Sequence, residues 1–288
     1  MERVVCQNCR RKFDKQEIKD QPVKPYKLGK PIFTMHHQTD LTSKVGDGGG
    51  YVLDIVMMDD GRLVICLLRK RRLLICNTDG SQVDSIDVQG RPYCVTAVNN
   101  STVAVRQLDS KWIEMYDINN KLKLKSISPP GMRSFVGITT INNKLVVCGN
   151  NSLLIIDHQT GEVVQTIKTD CDPGRLQGSG DRIFYCYINY LNNKLCWYSY
   201  TDDRHHSLTL PSTPMSMTTL QDGSLYVRCE DGSVQHVSSD SKQYKTVTTE
   251  GLQQLKYTLM SYNLKQRKLI IKHKREDNRC IFNVFYEE

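Results

Sequence analysis

Nothing in this sequence approaches the roughly 18 consecutive apolar residues that a helix needs to cross a bilayer. Its opening segment, MERVVCQNCRRKFDK, lacks the apolar stretch of a secretory signal. A cytoplasmic protein without membrane contact is the expectation. A sustained 3.6-residue period is missing from residues 51–288, which excludes a helical bundle. Also missing are a Gly-rich phosphate-cradling loop ahead of a helix, a G-x-S-x-G elbow and an H-E-x-x-H pair. Without a nucleophile, base and orienting group in a recognisable pattern, the chain reads as non-catalytic, and no cofactor is expected.

What is present begins with 288 residues, 39% of them hydrophobic, enough to bury a core without covalent staples. The chain is too long for a small disulfide scaffold, and its 11 cysteines are odd in number. Cys66, Cys76, Cys148, Cys186 and Cys196 lie inside apolar runs such as LVIC and LVVC, where a free thiol acts as a small hydrophobe. Reduced structural thiols are therefore expected, as in a reducing compartment. The net charge of +8 is uneven: residues 1–50 carry 10 basic and 6 acidic side chains, residues 251–288 carry 8 and 4, and the stretch between is balanced.

The dominant feature is an internal repeat. Each unit reads as an apolar strand, a turn, a second apolar strand, a polar loop, a third apolar strand, a turn and an alternating strand. In the first unit these are YVLDIVMM, DDG, RLVICLL, RKRR, LLICN, TDG and SQVDSIDV. The second strands start at Leu63, Val103, Leu145, Ile183, Leu225 and Leu269, spaced by 40, 42, 38, 42 and 44 residues. Four strands every 40–45 residues is the spacing of propeller blades. Asp60-Gly61, Asn99-Asn100, Asn142-Asn143 and Asp222-Gly223 supply residues that tolerate the positive φ of tight hairpin turns. The fold expected is all-β: a six-bladed β-propeller over residues 31–288, after a polar tail and linker over 1–30. Its blades fall at about 51–90, 91–130, 131–170, 171–212, 213–250 and 251–288 plus 31–37.

The sixth unit has only three strands before Glu288, and an open edge invites aggregation. PIFTMHH (Pro31–His37) can supply the fourth, so Ile32–His36 is expected to pair outside Cys280–Tyr286 and close the ring.

With GRLVICLLRKRRLLICNTDGSQVDSIDVQGRPYCVTAVNNSTVAV, KLVVCGNNSLLIIDHQTG and DGSLYVRCEDGSVQHV, the chain resembles the propellers of tripartite-motif proteins with NHL-type repeats, in their divergent invertebrate form. The resemblance spans about residues 31–288 and implies an NHL/TolB-like propeller that recognises substrate or scaffolds a ubiquitin-ligase-like system. In that family the ligase chemistry lies in a RING, followed by B-boxes and a coiled coil. This sequence contains no RING, no complete B-box and no heptad segment. Cys6-x-x-Cys9 is half of a zinc site, and structural zinc needs four ligands; no metal is expected. Asp202-Asp203 with His205-His206 reads as a solvated turn, and Gly48-Gly49-Gly50 as a hinge.

One patch carries a geometric argument. In a propeller, the loops between second and third strands open on the same face as the loops joining blades. Blade one places Arg69, Lys70, Arg71 and Arg72 there, and blade six places Lys272, Lys274, Arg275 and Arg279 nearby. First and last blades are neighbours in a closed ring, so these cations are expected to form one basic rim. The matching loops elsewhere, Asn150-Asn151 and Glu230-Asp231-Gly232, are neutral or acidic. An acidic protein segment fits such a rim. So does single-stranded RNA, whose backbone favours basic patches and whose bases stack on aromatics such as Tyr93, Tyr187, Tyr190, Trp112 or Trp197.

Overall fold

In the computed structural model the described residues are 3–5, 12–14, 25–46, 51–133, 137–187, 192–248, 259–274, 277 and 279–288. They form six four-stranded antiparallel sheets arranged as the blades of a β-propeller. Blade 1 runs Val52–Met57, Leu63–Leu67, Arg72–Cys76 and Asp84–Asp87 from its inner to its outer strand. The inner strands of blades 2 to 6 are Pro92–Ala97, Ile138–Ile141, Pro173–Ser179, Pro214–Thr219 and Leu259–Asn263. Each inner strand touches the next, and that of blade 6 touches that of blade 1, so the ring is continuous. Among the described residues no helix is long and apolar enough to cross a membrane.

The second strands read as unbroken apolar runs because both of their faces are covered. Leu63, Ile65 and Leu67 point toward blade 6, while Val64 and Cys66 point toward blade 2. The same alternation round the ring gives six separate apolar layers, one in each gap between blades. A one-residue slip would exchange the two faces of a strand, so register is strongly specified. Outer strands meet solvent and are correspondingly polar, as in Arg204–Thr209 (RHHSLT).

Three inner strands begin with proline (Pro92, Pro173 and Pro214), and a register shift follows each within three residues. Proline cannot donate to a ladder, and the first residue of a strand beside a bulge is where it is tolerated. Inner strands of neighbouring blades are then stitched by side chains. Asp54 Oδ2 accepts from Val95 N (2.9 Å), Thr139 Oγ1 from Gly178 N (2.9 Å), Thr218 Oγ1 from Tyr262 N (3.0 Å) and Ser261 Oγ from Met57 N (3.1 Å). Gly178 permits the closest approach: a Cβ there would sit 2.2 Å from Thr140 O, so any side chain would force blades 3 and 4 apart.

Blade 6 consists of Leu259–Asn263, Lys268–Lys274, Cys280–Glu287 and, outermost, Phe33–Asp40. The last of these pairs antiparallel with Ile281–Glu287. The pairing extends four residues past the expected His36, because the polar Gln38-Thr39-Asp40 suits an outer strand as well as a turn. A register shift between Val284 and Phe285 places a bulge at His36. After this strand Leu41 and the single helical turn Thr42–Val45 cover the gap between blades 6 and 1, burying Leu41 and Val45. Contact with the propeller also begins before residue 31. Tyr26 donates its N–H to Asp222 (2.8 Å) and its hydroxyl to Glu287, a buried carboxylate that also takes Tyr262 OH and Arg267 Nη2 (2.8 Å). Further upstream, Arg3–Val5 pairs with Lys12–Asp14, while Cys6 and Cys9 lie outside the described residues.

Candidate functional site

The loop between the second and third strands of blade 1 is a tight hairpin whose tip, Arg71, has φ 50°. Arg69, Lys70 and Arg71 are exposed. The Arg69 guanidinium lies 3.9 Å from the centre of the Tyr51 ring, and Lys70 reaches across Gly46 to donate to Lys44 O (3.3 Å). Gly46 has φ 88°, and a Cβ there would lie 2.7 Å from the Lys70 stem. Lys44 and Gly46, which follow Phe33–Asp40, thus pack beneath the hairpin, and Lys44 joins the group. Among the described residues no carboxylate lies within 4.0 Å of Arg69, Lys70, Arg71 or Lys44.

The rest of the expected rim differs. Arg72 is the first residue of the third strand and is paired with Asp87. Lys272 is 5% exposed and sits within the second strand of blade 6, where burial lowers its pKa; it is a core residue and forms no part of the surface. Strand alternation explains this, since Lys272 shares a face with Ile270, which packs toward blade 1. Lys274 ends that strand and is half-buried. Arg279 is exposed but grips Asp277 (2.6 Å) and lies 4.0 Å from Asp40, a partner distant in sequence. Arg275 lies outside the described residues, as do Tyr190 and Gly48-Gly49-Gly50. The open positive charge therefore gathers on blade 1.

Two aromatic rings stand on this face. Tyr51, absent from the sequence-based set, is 48% exposed beneath Arg69, and Trp112, in the corresponding loop of blade 2, is 46% exposed. Tyr93 and Tyr187 are half-buried and Trp197 is buried, so none of these three offers an open platform. At the outer edge of blade 4, His206 pairs with Asp202 (2.9 Å), His205 with Tyr185 (3.0 Å) and Asp203 with Tyr198. Among the described residues no cluster of three or more His, Cys, Asp or Glu has a metal-binding arrangement.

Sequence reasoning missed a second set of charged groups, in the central channel. The channel holds a cavity of about 280 Å³ lined by inner strands of all six blades. Asp54, Cys94 and Arg175 are each the third residue of an inner strand, so they sit just inside the mouth on the same face as the blade 1 hairpin. Asp54 opens partly onto the channel yet is packed deep among protein atoms, and desolvation raises its pKa. Its carboxylate takes the N–H groups of Ile55 (3.0 Å) and Val95 (2.9 Å). Arg175 Nη1 donates to Cys94 Sγ (3.8 Å). Burial pushes the Cys94 thiol up to about 12, so it stays protonated. The signal in the sequence was a lone charge near the start of an otherwise neutral inner strand, in YVLD and DPGR.

No protein-family model matches this sequence, and no curated protein matches it. Solved structures do match in fold. Kuenenia stuttgartiensis hydrazine synthase superposes with a TM-score of 0.61 at 16% identity, covering 78% of this chain and 74% of that one. U3-55K gives 0.62 at 10%, covering 84% and 76%, and the RRP9 WD40 repeats give 0.62 at 10%, covering 87% and 79%. At such identities the likeness establishes the β-propeller and nothing narrower.

Proposed function

We propose that this propeller is a non-catalytic interaction module whose blade 1 rim takes an acidic segment of a protein partner. One observation carries the reading: Arg69, Lys70 and Arg71, with Lys44 beside them, form an exposed cationic group with no carboxylate within 4.0 Å among the described residues, whereas Arg72 and Arg279 are paired. Exposed cations without an ion-pair partner can meet a partner's carboxylates, and charge complementarity of this kind sets specificity and association rate. The NHL-like sequence pattern supports a role in recognising substrates or scaffolding a ubiquitin-ligase-like system in the cytoplasm. U3-55K and the RRP9 WD40 repeats share the fold, and a propeller is well suited to scaffolding.

Single-stranded RNA is the second reading. Tyr51 and Trp112 favour it, because exposed rings beside cations suit base stacking next to phosphate contacts. Affinity capture with the wild type and with an Arg69→Glu/Lys70→Glu/Arg71→Glu variant separates the two. A protein recovered by the wild type and lost by the variant supports the acidic partner. Recovery of RNA, with an affinity that falls steeply with salt, supports the second reading. Equal recovery of every partner by both proteins overturns the rim.

A further inference from the structure

The mouth of the central channel holds an arginine that the fold does not use up. Arg175 carries five N–H donors in a planar fork. One of them meets Cys94 Sγ, and among the described residues no carboxylate lies within 4.0 Å of it. None of its nitrogens is sealed from the channel without a partner, so the remaining donors open onto the cavity. Asp54 faces Arg175 closely enough for each to favour the other's charged form but makes no ion pair within 4.0 Å; its carboxylate takes the N–H groups of Ile55 and Val95, where it clips blade 1 to blade 2.

Arg106 is fully buried beside the Tyr93–Cys94 corner and donates to the carbonyls of Gln107 (2.5 Å) and Arg133 (2.7 Å). Its donors are spent behind the cavity wall, and the charged groups that line the cavity are Arg175, Asp54 and Asp59, the last paired with Lys265 (2.6 Å). The walls add hydroxyls, among them Thr96 and Ser216. A cavity of about 280 Å³ has room for one small anionic group and its waters.

We infer that the channel mouth is a receptor for a single oxyanion group, carboxylate or phosphoryl, held by the Arg175 fork. A planar guanidinium matches either group through two parallel hydrogen bonds. The site is distinct from the exposed rim and stands without it. The oxyanion can come from a free small anion or from an acidic side chain of a protein lying across the same face.

The test is calorimetric titration at constant ionic strength with inorganic phosphate and, separately, a hexaglutamate peptide. Four proteins are compared: wild type, Arg175→Gln, Ser216→Phe and the triple rim variant. Ser216→Phe leaves Arg175 in place and fills the channel from the neighbouring blade, so it decides the matter if Arg175→Gln fails to fold. The wild type is expected to bind at least one probe, and both channel variants to weaken that binding about tenfold or more, the scale of a charge-assisted hydrogen bond. The triple rim variant is expected to keep its phosphate affinity. Loss of phosphate binding identifies a free anion; loss of peptide binding alone identifies a partner's carboxylate. Binding by Ser216→Phe as tight as by the wild type, or no binding of either probe by the wild type, overturns the inference.

Discussion

Arg69, Lys70 and Arg71 of blade 1 and the cations Arg106, Arg228 and Lys272 of blades 2, 5 and 6 belong to the same repeat and meet opposite fates. The first three occupy a hairpin tip and keep their charge in water. The others stand three residues beyond the start of the apolar run in their second strands, a position that holds Cys66, Cys148 and Cys186 in blades 1, 3 and 4. All six residues at that position are buried. Burial lowers the pKa of Arg106, Arg228 and Lys272, against the cost of desolvating a charge. Where a cation sits within the repeat therefore decides whether it holds the fold together or is open to a partner.

The largest effect expected to sharpen this contrast comes from the buried side. Arg106→Met nearly keeps volume and removes the donors to the carbonyls of buried Gln107 and half-buried Arg133, orphaning each of its guanidinium donor. A loss of about 3 kcal/mol is expected, since each such orphan costs roughly 1–3 kcal/mol; urea unfolding measures it, and a loss under about 1 kcal/mol would remove Arg106 from the structural set.

His236 applies the same logic through pH. It is buried beside Tyr226 and Ser224, and burial lowers its pKa to about 4, although Asp222 nearby opposes the shift. A histidine depressed in the folded state contributes stability that is complete above its unfolded value near 6.5 and is lost as pH falls toward 4. Between pH 7 and pH 5 the expected loss is about 2 kcal/mol. His236→Asn should flatten that part of the pH profile of unfolding free energy.

On the exposed side, effects on stability should be small. The triple variant Arg69→Glu/Lys70→Glu/Arg71→Glu should change unfolding free energy by no more than about 1 kcal/mol, because the charges touch no buried group. Arg72→Ala breaks an exposed pair with Asp87 and should cost about 0–1 kcal/mol in the same assay. A cost well above that would show that the hairpin is itself part of the structural core.

The anchors of the second strands and their turn residues made the six-blade architecture legible, because apolar runs and positive-φ residues recur at fixed spacing. Lys272 belongs to the core and not to the rim because two-residue alternation along KLIIKHK sets it on the face of Ile270, which proximity to a basic loop does not reveal. Arg279 is held chiefly by Asp277, two residues before it in the same loop, and only its weaker neighbour Asp40 arrives on a strand almost the whole chain away. Tyr51 drew no notice as a lone ring before a strand; only the packing of Arg69 over it reveals the platform. The channel charges Asp54 and Arg175 lie 121 positions apart, and nothing local joins them until six inner strands converge.

The most direct test of the account measures partner recovery and melting temperature together for the wild type and the triple rim variant. The account predicts an unchanged melting temperature, within a degree or two, and loss of the captured partner. Retention of the partner by the triple variant at an unchanged melting temperature would contradict it.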